Sequence, residues 1–177
     1  MNIFQNSIFI SIRSLFYYWC FYFFNIYTFQ YRYLTDNEVQ LAYKVFGNQL
    51  NYSAIQVLNT PYLPWQPVGL FMAPIGKIFV NPENYKEDYS LESLAYQCTF
   101  IHELAHIYQY QQHINVLFKG ALLQIAYYLS FQNYNPYHYN FIPQKSFWDY
   151  NIEQQGDIAR DIFLDKIPNI ILHSQNQ

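Results

Sequence analysis

Residues 98–112 read CTFIHELAHIYQYQQ, and within them His102-Glu103-Leu104-Ala105-His106 forms an HExxH motif. The flanking Phe100, Ile101, Leu104, Ala105 and Ile107 leave no polar face wide enough for a surface helix, so the sequence predicts a largely buried helix over about 91–112. Residues four apart share one helical face, one turn apart. Two imidazoles placed so can point at one ion about 2 Å from each nitrogen. Glu103, about 100° further round the helix, misses the ion but can reach a water bound to it. Zinc lowers the pKa of such a water, and the carboxylate can take its proton as general base. The plainer reading, a helix with two surface histidines, fits the apolar flanks badly, because burying His, Glu and His without partners is costly.

A catalytic zinc site with two histidines needs a third protein ligand and one open position. Residues 153–157, EQQGD, place Glu153 and Asp157 on one face of a later helix. Glu153 is the candidate third ligand. Asp157 can accept the outer N–H of a liganding histidine and fix its tautomer. Gly156, costing about 1 kcal/mol in a helix relative to Ala, suggests close packing against the HExxH helix. The competing reading is a solvated acidic face of Glu153, Asp157 and Asp161 with Arg160. His113, His138 and His173 are alternative third ligands: His113 stands too far along the same helix, His138 lies in a loop and His173 near the tail.

Around this centre the chain reads as an α+β domain. Thr35 with Glu38 forms a capping box for a helix that Gly47 stops. A short strand follows at 54–58, then a loop with three prolines at 59–68. Residues 69–81, GLFMAPIGKIFVN, read as a β-hairpin turning at Pro74-Ile75-Gly76. Ser90 is the expected N-cap of the HExxH helix. A further helix is expected at 116–131, a Tyr/Asn/Pro loop at 133–143, and a last helix at 147–164 started by Ser146 and Asp149. Helix, strand, hairpin and three helices make a mostly helical α+β domain with a small antiparallel sheet.

Composition narrows the function. The chain has 177 residues, enough for one domain with a real core. It is 52% hydrophobic with 20 Tyr and 16 Phe, which argues against disorder. A net charge of −3 without a basic run makes nucleic acid an unsuitable partner. Cys20 and Cys98 offer neither a disulfide framework nor a CxxC zinc site, so any metal must be held by His and carboxylate; Cys98 reads as core. Residues 1–33 form a separate hydrophobic, aromatic segment ahead of a domain at 34–177. Residues 8–30 read as a membrane anchor, a helix packed on the domain, or an appendage.

HELAH followed by EQQGD resembles the gluzincin metallopeptidases, the thermolysin-like group with HExxH and a later Glu-x-x-x-Asp. That resemblance implies a zincin-like fold, His102, His106 and Glu153 as zinc ligands, Glu103 as base and Asp157 as the partner behind a ligand. It also likens the hairpin to the edge strand on which such enzymes lay substrate. The 47 positions from His106 to Glu153 exceed the gap in thermolysin, so an extra helix must occupy them. A closer resemblance covers residues 34–165. LAYKVFGNQLNYSAIQV, GKIFVNPENYKEDYS, FIHELAHIYQYQ and YNIEQQGDIARDIF are similar to small bacterial Rhs/VgrG-related proteins linked to type VI secretion.

The expected function is therefore a zinc-dependent metallopeptidase acting on a peptide or on peptidoglycan. It would be a secreted or delivered effector, or a membrane-associated protein; the alternative is a cytoplasmic location. A secretion-system component or an immunity protein is the expected partner. The competing function is a non-catalytic module in which zinc holds two helices together. Tyr108, Tyr110, Tyr137, Tyr139 and Tyr150 are equal candidates for the group that stabilises the oxyanion.

Overall fold

A computed structural model describes residues 30–173, the side chain of His173 excepted. The aromatic segment at 8–29, with Cys20, lies outside the described residues. Among the described residues no helix is long and apolar enough to cross a membrane.

Strand β1 (Tyr31–Tyr33) precedes the boundary read at residue 34 and belongs to the domain. Its Arg32 sends two 2.7 Å hydrogen bonds to the fully buried carboxylate of Glu38. Glu38 stands in the first turn of α1 (Asp36–Phe46), where the Thr35 capping box forms as the sequence predicts. Leu41, Ala42, Val45 and Phe46 of α1 face the core, and Gly47 ends the helix at φ 53°.

The sheet departs from the expected antiparallel form. β2 (Gln56–Leu58) pairs antiparallel with β1 but parallel with β3 (Ile78–Phe79), in the order β1-β2-β3. The hairpin at 69–81 shrinks to one antiparallel bridge between Met72 and Phe79. Val57 and Ile78 are both fully buried, and pairing them side by side fills the core better than a free hairpin would. The proline-bearing segment between β2 and Met72 returns the chain to make this possible.

Helix α2 (Leu94–Gln111) carries the HExxH residues. It begins later than expected. Ser90 sits inside a 3-10 turn, Tyr89–Leu91, that Asp88 caps, and Gln97 donates to the carbonyls of Ser90 and Glu92. The N-cap is Ser93, without a side-chain capping bond. Helix α3 (Val116–Leu129) occupies the long gap before Glu153.

The expected last helix breaks in two. The Ser146–Asp149 capping box is present but supports only one 3-10 turn, Phe147–Asp149. Tyr150 and Asn151 are extended, and a second capping box, Asn151 with Gln154, starts α4 (Ile152–Phe163). The break puts Glu153 in the first turn of α4, where the helix dipole favours a carboxylate. A short α5 (Ile170–His173), not expected from the sequence, buries Ile171 and packs on α1. Phe100, Ile101, Leu104, Ile107 and Ile158 meet in a core between α2, α4 and the sheet.

Candidate metal centre

Helix α2 packs along α4, and Gly156 sets how closely. A Cβ there would lie 2.6 Å from both Nδ1 and Nε2 of His102, so only glycine lets the backbone of α4 come against this ring. The His102 and His106 rings stand edge to face with centroids 4.9 Å apart. Their Nε2 atoms lie 3.5 and 3.6 Å from the same oxygen, Oε2 of Glu153. Tetrahedral ligands about 2.0–2.1 Å from one ion are separated by roughly 3.3–3.5 Å. Among the described residues, the group of His, Cys, Asp and Glu side chains that could hold an ion comprises His102, His106 and Glu153, their donor atoms all within 4.8 Å of one another.

Each histidine is oriented from behind. Nδ1 of His102 donates to Asp157 Oδ1 at 3.1 Å, and Arg160 steadies that same oxygen at 2.7 Å. Nδ1 of His106 donates to Oε1 of Gln109 at 2.9 Å. Gln109 is fully buried, and its amide nitrogen donates to the Ile152 carbonyl and to Gln155 Oε1, which fixes which end of the amide meets His106. Gln155 in turn donates to the Tyr150 carbonyl at 2.7 Å. With Nδ1 of each ring engaged in this way, Nε2 of each ring faces Glu153. Gln109 is a site residue that the motif does not mark. Its signal is a polar side chain one turn after His106, on the same side of the helix.

The electrostatics are tightly coupled. Burial works against charging His102, but the Asp157 and Glu153 carboxylates outweigh it and bring its pKa to about 10. His106 is also raised, chiefly by Glu153 against its burial. Burial works to raise the Glu153 carboxyl, yet the two imidazoles hold it well below the usual range. Glu103 goes the other way: burial raises its carboxyl against the pull of His106 and His102. Its Oε2 is buried with no hydrogen-bond partner.

Of the five candidate tyrosines, Tyr137 stands at this cluster, its ring centroid 6.4 Å from that of His102. Burial and the nearby carboxylates of Glu153, Glu103 and Asp157 push its hydroxyl up to about 12. Its loop is tied to α4 by Asn151 donating to the Pro136 carbonyl and Gln154 to that of His138. Tyr108 packs among Phe46, Phe147 and Trp148, and Tyr110 lies against Gly76. Tyr139 donates to Asp161, and the Tyr150 hydroxyl accepts from the Ile142 amide. His113 and His138 are not members of the cluster, and the side chain of His173 lies outside the described residues. Cys98 is half-buried rather than fully in the core, and burial raises its thiol.

No family model matches the chain. It is 44% identical over 136 residues to the type VI secretion system spike protein VgrG2b of Pseudomonas aeruginosa. That match takes in 76% of this chain but only 13% of the spike protein's length. The solved effector domain of Pseudomonas aeruginosa VgrG2b superposes with a TM-score of 0.69 at 44% identity, covering 75% of this chain and 73% of that one. On that identity and coverage the chain belongs to the family of the VgrG2b effector domain, which links it to the VgrG-related proteins of type VI secretion.

Proposed function

We propose that the chain is a zinc-dependent amide hydrolase of the gluzincin type, delivered as a type VI effector and acting on a peptide or on the peptide stems of peptidoglycan. The observation that carries this reading is the unpartnered, buried Oε2 of Glu103 beside two Nε2 atoms that converge on Glu153. A buried acceptor without a partner is costly, and its natural partner is a group brought in from outside.

The donor set fits zinc: two imidazoles, which would give up their Nε2 protons to the ion, and one carboxylate, with a fourth position left over. Zinc held by His102, His106 and Glu153 would polarise a carbonyl and acidify water. Asp157 and Gln109 keep the imidazole tautomers correct for this. Glu103 takes the proton from the attacking water and returns it to the leaving amine. The Tyr137 hydroxyl, protonated at neutral pH and carried by the ring next to His102, is the donor that would stabilise charge growing on the carbonyl oxygen. The competing reading, a zinc-stapled module, calls for a fourth protein ligand; His138, the nearest candidate from sequence, is not in the cluster.

The decisive experiment compares wild type with Glu103→Gln on a peptide library and on purified peptidoglycan, with a chelator control. Both proteins are expected to carry about one zinc per chain. Turnover by the variant should fall at least roughly 10²-fold. Chelator-sensitive cleavage that persists in Glu103→Gln rules this mechanism out, and a wild type without zinc rules out the site.

A further inference from the structure

Helix α3 is apolar in the wrong direction for a helix in water. Its sequence, VLFKGALLQIAYYL, has one charged residue, Lys119. Val116 is its buried residue, while Phe118, Leu122, Ile125 and Leu129 form an outward stripe at 59%, 49%, 52% and 76% exposure. Leu117, Tyr128 and, just past the helix, Phe131 at 90% widen it. On the inner side stand Val116, Gly120, Leu123 and Tyr127, none of them fully exposed, with Gly120 lying over Ile152 and Glu153 of α4. The helix thus also leaves a full stripe of large apolar side chains in water, which a helix of a lone domain usually buries. A contiguous exposed patch of this kind marks an interaction surface.

Charge identifies the occupant. All twelve carboxylate side chains of the chain lie outside residues 112–148, whose charged residues are two lysines, Lys119 and Lys145. In a chain of net charge −3, the apolar face is the stretch freed of acids. Large apolar side chains with aromatics at one end, on a stretch whose only charges are cationic, are what an anionic bilayer surface accepts. At 14 residues the helix is about 21 Å long, too short to span a hydrocarbon core of about 30 Å, so it lies in the surface plane.

We infer that α3 docks the domain onto an anionic lipid surface through Phe118, Leu122, Ile125, Leu129 and Lys119. The inference stands independently of catalysis.

The test is co-sedimentation of the full chain with phosphatidylcholine vesicles with and without phosphatidylglycerol. Wild type should bind the anionic vesicles. The double variant Phe118→Asp/Ile125→Asp should bind at least roughly 100-fold more weakly, since two apolar side chains no longer leave water. Lys119→Gln should weaken binding about fivefold. Circular dichroism and zinc content serve as folding controls, because these side chains are exposed. Glu103→Gln should bind vesicles like wild type, which separates this inference from the catalytic one. Equal binding by wild type and the double variant would assign membrane attachment to residues 8–29 and overturn the inference. Dimerisation lost in the double variant, without vesicle binding by wild type, would assign the face to a second copy and overturn it too.

Discussion

Two buried clusters of charge lie at opposite ends of the polar economy of this domain. At the first, Glu38 is fully buried, and its oxygens receive both terminal nitrogens of Arg32, the Thr35 amide and the Tyr89 amide. Arg32 spends its remaining donors on the Lys86 and Tyr33 carbonyls. At the second, His102, His106, Glu153 and Glu103 are nearly as well hidden, yet two imidazole Nε2 atoms converge on one oxygen and Oε2 of Glu103 has no hydrogen-bond partner among the described residues. The first cluster closes on itself and welds β1, α1 and the 86–89 segment. The second does not close on itself: its Glu103 oxygen has no partner among the described residues. Buried charge that is saturated by the chain is structural; buried charge left unsaturated at one point is arranged for a ligand or a reaction.

The contrast can be broken most forcefully at the closed cluster. Arg32→Ala strands the Glu38 carboxylate and should cost about 3–5 kcal/mol in a denaturant titration. Zinc per chain, measured on the fraction still folded, should not change. A loss of less than about 1 kcal/mol would show that the weld is not structural.

At the open cluster the backbone contact comes next. Gly156→Ala forces a methyl into the His102 ring and should cost about 1–3 kcal/mol by overpacking. The same displacement moves Glu153 away from the histidines, so zinc affinity should fall in parallel. Destabilisation without any change in affinity would mean that Gly156 serves packing alone.

The smallest effects are expected one layer behind the ligands. Asp157→Ala and Gln109→Ala should each weaken zinc roughly 10–100-fold in a competition titration with a metallochromic chelator. Gln109→Ala should also lower stability, because the Ile152 carbonyl and Gln155 lose their buried partner. Wild-type affinity in both variants would place the orientation of the imidazoles in the ligands themselves and undo the distinction between the clusters.

Local signals were legible where one segment carried the whole reason. The Thr35–Glu38 box, the stop at Gly47 and the pairing of His102 with His106 depend on residues three to twelve apart, and chain geometry alone brings them together. The caps at Ser90 and Ser146 misled for the same reason. Both serines do occupy capped turns, but each turn is one 3-10 turn long, and the choice of where the helix resumes belongs to Gln97 in one case and Asn151 in the other. The parallel pairing of β2 with β3 was invisible, because it joins residues 21 positions apart through core filling rather than turn chemistry.

The sequence by itself determined the helical spacing of the two histidines, the carboxylate of Glu103 beside the first of them, and the glycine at 156. These follow from the helical repeat and from the chemistry of side chains at fixed offsets. Only the tertiary structure decided that Glu153 meets both histidines, that Gln109 stands behind His106, that Tyr137 is the tyrosine at the cluster, and that α3 turns its apolar face outward. Each of these depends on how α2, α3, α4 and the 135–139 loop pack. Packing is settled by long-range contacts whose free energies are shared across the whole core, so no single stretch of chain encodes it.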